Sequence, residues 1–188
     1  MPLDITFTLS DEDLERFQSI IDKARTNLDT EAGAAQIQAA AQALIDESRN
    51  TNLPEFIADR LQKLEVIINM VQDDEWQLND FERRRVLSAL VYFCDPDDII
   101  PDHIPGIGFL DDAIYVQMVV KELQAEIDSY EEFCAYRSRE EKRRKEQGLD
   151  PYVDRESWLS DKRAALHSRM RKRRSAAASS GGWKMRLW

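Results

Sequence analysis

Between residues 92 and 112 the chain reads YFCDPDDIIPDHIPGIGFLDD, with Pro96, Pro101 and Pro105 close together. Proline holds φ near −65° and has no N–H, so none of the three fits inside a regular helix or a central strand. Each also pushes the residue before it towards extended backbone. Gly106 and Gly108 then permit a close or left-handed turn. The segment must reverse the chain. Asp111 and Asp112 follow, where carboxylates suit the free N–H groups and the positive end of a new helix. Outside this stretch Gly and Pro are scarce, and charged residues make up 33% of the chain against 43% apolar ones. That balance fits surface-rich helices and predicts an all-α protein.

Hydrophobic spacing divides the rest into about five helices packed as a compact bundle. Residues 5–9 alternate apolar and polar and suggest a short extended arm, after which Ser10 caps a first helix with Leu14, Phe17, Ile21, Ala24 and Leu28 on one face. A second helix runs from Thr30 to Arg49, with Ile37, Ala41, Leu44 and Ile45 inward. Pro54 suits the first turn of a third, whose Ile57, Leu61, Leu64, Ile68 and Val71 make the cleanest stripe. A fourth covers Asp80 to Cys94, opening with Arg83, Arg84 and Arg85, for which Asp73, Asp74 and Glu75 are the expected partners. The fifth, central helix starts at Asp111 and continues through Leu123, Ile127, Tyr130 and Cys134. Beyond Tyr136 the run RSREEKRRKEQ has no apolar face and is expected to project into solvent. Residues 1–147 thus form the body. Residues 148–188 form a basic arm, with a helix near 155–174 carrying Trp158, Leu159, Leu166 and Met170, then the linker SAAASSGG and the terminal WKMRLW.

The spacing Pro96-x-Asp98-x-x-Pro101-Asp102-x-x-Pro105-Gly106-x-Gly108-x-x-Asp111-Asp112 resembles the signature of the YkvA-like family, a bacterial and archaeal domain of unknown function, over roughly residues 85–125. The resemblance implies a helical body around the turn and, from some members, membrane residence. Here the longest apolar run, Ala113 to Val120, is interrupted by Gln117, whereas a bilayer span needs about 20 apolar residues. Met1-Pro2-Leu3-Asp4 lacks the basic and apolar segments of a secretory signal. A reducing cytoplasmic setting is expected, with Cys94 and Cys134 as small core residues.

Asp95, Asp98, Asp102, Asp111 and Asp112 are the candidate cation-binding or turn-forming residues. Hard cations take several carboxylate oxygens, yet the spacing does not match a calcium-binding hand. Aspartates beside prolines also hold turns by accepting from freed backbone N–H groups. His103 and His167 lack companions at ligand spacing, and two cysteines cannot make a zinc site alone. No nucleophile-centred motif and no Gly-rich phosphate loop after a strand is present. The motifs point away from catalysis, and no cofactor is expected.

Charge gives the stronger lead. Residues 1–136 hold 29 acidic and 10 basic side chains, while residues 137–188 hold 7 and 16. Such asymmetry marks an interaction tail or a tail that docks on its own body. Arg169, Arg171, Lys172, Arg173, Arg174, Trp183, Lys184, Arg186 and Trp188 are the candidate partner-binding residues: cations to neutralise phosphates, tryptophans to stack on bases. The expected function is that of a non-catalytic interaction or adaptor protein whose basic arm binds nucleic acid or a ribonucleoprotein. A protein partner or self-association is equally open. A peripheral contact with an anionic membrane surface and divalent-cation binding by the Asp-rich turn are the alternatives.

Overall fold

The computed structural model describes residues 10–25, 31–94 and 108–178. Among them are seven α-helices, one 3-10 turn and no strand: α1 (Asp11–Arg25), α2 (Glu31–Arg49), α3 (Glu55–Gln72), α4 (Asp80–Ala89), the 3-10 turn Val91–Cys94, α5 (Leu110–Glu122), α6 (Gln124–Glu146) and α7 (Arg155–Ala178). The all-α expectation holds. The 5–9 arm, most of the proline-rich turn and the terminal tail lie outside the described residues.

The stripe read for the third helix becomes the buried face of α3, where Ile57, Leu61, Leu64, Ile67, Ile68, Met70 and Val71 are sealed from solvent between α2 and α5. Burying one such side chain contributes about 1.5–3 kcal/mol, so this face alone commits the chain to helix-on-helix packing. Asn79 starts α4 with a capping box: its side chain accepts from the Glu82 N–H at 2.9 Å while the Glu82 carboxylate takes the Asn79 N–H. Ser10 caps α1 as expected, its hydroxyl accepting from Asp13 N–H at 3.2 Å.

Three expectations are corrected. The single central helix divides at Leu123, which adopts φ −98° and ψ 16° yet keeps backbone bonds on both sides, to Val119 O and from Ile127 N. Its side chain is fully buried. No Pro or Gly marks the bend, so core packing rather than local chemistry places it. Second, α6 beyond Tyr136 does not project alone, because α7 lies along it: Tyr136 Oη donates to Trp158 O at 3.2 Å, and the Arg144 guanidinium sits 5.1 Å from the Trp158 ring centre. Third, Cys94 is exposed and Cys134 half-buried, so neither is a sealed core residue.

The turn between α6 and α7 is built as a Schellman motif. Gly148 takes φ 73°, its N–H reaches Lys145 O at 3.0 Å, and Leu149 N–H reaches Arg144 O at 2.9 Å. The chain doubles back and α7 lays Leu159, Leu166 and Met170, all fully buried, into the same core as α3 and α5. Residue 147 therefore marks a turn, and the narrow stripe of α7 is part of the body.

Candidate functional site: the ionic seam beneath the last helix

The arginines of the C-terminal half of α7 fall into two sets. Arg171 Nε donates to Glu82 at 2.8 Å and Arg174 Nη1 reaches Glu126 at 3.4 Å, both carboxylates being 1% exposed or less. Arg169 meets Glu132 at 2.7 Å and Arg173 approaches Asp128 at 3.9 Å, at side-chain exposures of 46% and 47%. Lys172 is exposed. Of the sequence-derived arm, Trp183, Lys184, Arg186 and Trp188 lie outside the described residues. The helix of the arm thus docks on its own acidic body.

Beneath it, Arg85 of α4 donates to Glu126 at 2.8 Å and to Glu122 at 2.6 Å. Burial pulls the Arg85 guanidinium below its ordinary value, against the pull of the two carboxylates. Glu126 is shared between Arg85 and Arg174, so α4, α6 and α7 meet on one carboxylate. His167 lies against the edge of Trp76, ring centres 4.2 Å apart, and its Nδ1 stands 3.9 Å from Glu82. Burial lowers the His167 pKa, countered in part by Glu82 and reinforced by Arg171 and Arg163.

The expected pairing of the Arg83–Arg85 run with Asp73, Asp74 and Glu75 is not formed. Asp73 and Glu75 instead take Arg137, at 2.8 Å each, and Glu75 also takes Arg155. The Arg155 hydrogen bond is the main reason the Glu75 carboxyl sits below its ordinary range. Residues brought together by the fold out-compete near neighbours because they meet on packed faces.

A cleft of about 610 Å³ between α3 and α6 is lined by Val66, Asn69, Asp73, Tyr130, Cys134 and Arg137 among others. Tyr130 Oη donates to Asp73 at 3.0 Å. Burial raises both the Tyr130 phenol and the Cys134 thiol. A raised thiol is a poor nucleophile at neutral pH, and the Tyr130–Asp73 bond ties α6 to the end of α3.

At the proline-rich turn, Asp111 and Asp112 open α5 as expected and are nearly sealed, at 3% and 5% exposure. The N-cap is Phe109, which makes no side-chain cap bond, and Asp111 Oδ2 accepts from Tyr92 Oη at 3.2 Å. Tyr92 stacks on Tyr115 at 4.3 Å between ring centres, and Tyr115 Oη donates to Ala89 O at 2.8 Å. These contacts tie the end of α4 to the start of α5. Asp95, Asp98 and Asp102 lie outside the described residues, and among the described ones no group of three or more His, Cys, Asp or Glu could hold a metal ion.

Sequence reasoning missed Trp76, Glu82, Arg85 and Glu126 as seam residues. The available signal was thin: Glu82 three residues after Asn79 marks a capping box, but nothing local announces its second partner.

Comparison with known proteins places the turn in a family. Residues 83–116 match the family described as Protein of unknown function (DUF1232). The "Uncharacterized membrane protein YkvA" of Bacillus subtilis (strain 168) is 32% identical over 79 residues, 39% of this chain and 73% of the relative. No solved structure matches. Among the described residues no helix is long and apolar enough to cross a membrane. The family match runs from within α4 to the middle of α5 and leaves α7 outside it.

Proposed function

Because this chain belongs to the YkvA-like DUF1232 family, whose description assigns no activity, we propose from its own surface that it is a non-catalytic interaction protein. It engages nucleic acid or a ribonucleoprotein through the outer face of α7 and the residues that follow. One observation carries this: α7 presents Arg169, Arg171, Lys172 and Arg173 to solvent, Arg171 alone of them holding a sealed carboxylate, while Leu159, Leu166 and Met170 pin its other face. Exposed ion pairs such as Arg169–Glu132 and Arg173–Asp128 are worth about 0–1 kcal/mol, so phosphates can take their place. Arg171 and Arg174 face buried carboxylates and stay engaged, since stripping them would leave charges unpaired. The binding set of the arm narrows to Arg169, Lys172 and Arg173, with Trp183, Lys184, Arg186 and Trp188 beyond.

The test is binding of the full chain to RNA and DNA oligonucleotides across a salt series. Replacing Arg169, Lys172 and Arg173 by Gln should weaken binding and flatten the salt slope by roughly 0.7–0.9 for each phosphate no longer neutralised. Unchanged affinity and slope would overturn the proposal.

A membrane-surface role is the second reading. Leu149, Tyr152 and Val153, 53%, 69% and 56% exposed, crowd the α6–α7 turn, and the Bacillus relative is named a membrane protein. Apolar side chains at an exposed turn suit shallow insertion among lipid headgroups. Flotation with phosphatidylglycerol vesicles, abolished by Leu149→Glu with Val153→Glu, would favour it; failure to float removes it.

A further inference from the structure

Glu82 of α4 stands against two α7 side chains that lie one helical turn apart. Its Oε1 accepts from Arg171 Nε at 2.8 Å, and its Oε2 lies 3.9 Å from His167 Nδ1. The carboxylate is sealed from solvent and the imidazole nearly so, whereas the Arg171 side chain is 49% exposed. Arg171 can therefore turn outward without α7 moving. While His167 is neutral it stays, because its departure would leave a buried carboxylate without a counter-ion. The charged groups that act on His167 are Glu82 and, from its own helix, Arg171 and Arg163. Arg163 is occupied by Glu156 and by Glu75 O, and the Glu75 carboxylate is turned to Arg137 and Arg155. From α6, Tyr130 and Phe133 meet the Trp76 ring on which His167 packs, and the buried Glu126 is bound by Arg85 and Arg174. Glu82 is thus the carboxylate that a proton on His167 would meet. His167 Nε2 has no hydrogen-bond partner, and burial beside two arginines keeps the ring neutral while Arg171 holds Glu82.

We infer that His167 gates Arg171: once protonated, the imidazolium serves as the counter-ion of Glu82 and releases Arg171 to a phosphate of bound nucleic acid. The inference rests on the nucleic-acid reading above and names the regulation of that surface. The proton comes from solvent and stays on the ring. In the free chain a protonated His167 shares Glu82 with Arg171 and stands four residues before it on the same helix, where two like charges repel. Once a phosphate takes Arg171, that repulsion is relieved and Glu82 serves His167 undivided. The bound state therefore holds the proton more tightly than the free one. By linkage, the protonated protein holds nucleic acid more tightly than the neutral one by the same factor. The sign follows: affinity rises as pH falls below the ordinary histidine value of 6.5. Release of Arg171 adds a fourth cation to Arg169, Lys172 and Arg173 on the solvent side of α7.

The experiment measures binding of the full chain to a 20-nucleotide oligo-dT, whose bases and phosphodiesters do not titrate near neutrality, across a salt series at pH 7.5 and again at pH 5.5. For the parent the salt slope should steepen by about 0.7 at the lower pH, one further phosphate being neutralised on a single strand. Affinity should rise by at most about tenfold per pH unit for the one proton taken up. His167→Gln should show the same slope at both pH values, and Arg171→Gln should lose the gain at low pH. A second measurement needs no altered gate: the His167 ring, identified by its absence from the NMR spectrum of His167→Gln, should titrate at higher pH with saturating oligo-dT than without it. An equal parent slope at both pH values, a His167→Gln slope that steepens as the parent's does, or a His167 titration unmoved by oligo-dT would each overturn the gate. The broader proposal then stands if the triple variant of Arg169, Lys172 and Arg173 loses binding at pH 7.5. If the parent binds oligo-dT at neither pH, both fall.

Discussion

Arg85 and Glu126 face each other across 2.8 Å from α4 and α6, with side chains 3% and 1% exposed. Removing either partner strips a buried charge of a counter-ion, leaving Arg85 to Glu122 or Glu126 to Arg174. Arg85→Ala or Glu126→Ala should each destabilise by about 3–5 kcal/mol, whereas Arg85→Met with Glu126→Leu should cost clearly less than the two single losses combined. Urea unfolding checks this. A single variant within about 1 kcal/mol of the parent would show that water reaches the pair.

The last helix should be indispensable to the body. Leu166→Ala opens a cavity at a fully buried position and should destabilise by about 2–5 kcal/mol. Truncation after Gln147 uncovers Trp76 and Phe133 together with Glu82 and Glu126, so its thermal transition should broaden or vanish. A sharp transition at the parent midpoint would return α7 to the status of an appendage.

Acid sensitivity should come in two windows. Burial holds the folded-state pKa of His167 below its ordinary 6.5, so between those values the unfolded chain binds more protons and stability falls as pH drops below about 6.5, by at most about 1.4 kcal/mol per pH unit. Glu75, depressed below its ordinary 4.5 by Arg155 and Arg137, loses its contribution only as pH falls through that lower range. His167→Gln should flatten the first window and leave the second. Parallel melting curves from pH 7 to 5 for variant and parent would contradict the assignment.

Asp111 is the acceptor for the buried Tyr92 hydroxyl. Asp111→Ala should cost about 1–3 kcal/mol by removing a buried hydrogen bond to a carboxylate, equally with or without added magnesium or calcium. A gain of several degrees in parent melting temperature with either ion, absent in the variant, would instead assign the aspartates to a cation.

Helix position and burial were readable where the spacing was strong, as in Ile57, Leu61, Leu64, Ile68 and Val71, because a wide apolar stripe has one physical solution. The bend at Leu123 was not, since its backbone bonds continue on both sides and no Pro or Gly marks it. The partners of Arg85 were misread for a related reason. Proximity in sequence favoured Asp73, Asp74 and Glu75, but Glu122 and Glu126 arrive through packing of α5 and α6. The charge asymmetry of the chain pointed to a basic end that binds a partner or docks on the body. It could not tell docking on its own body from a partner, because the deciding residues, Leu159, Leu166 and Met170, form a stripe too narrow to separate the two.

The Schellman turn at Gly148 has a consequence for how the chain assembles. The α6–α7 hairpin it closes is local and inexpensive in loop entropy, yet Arg171 follows Glu82 by 89 residues. At ribosomal speeds of about 5–20 residues per second, Glu82 waits roughly 5–20 s for its counter-ion. Until then Glu82 and Trp76 stand without Arg171 and His167, the α7 side chains that pack on them in the folded chain.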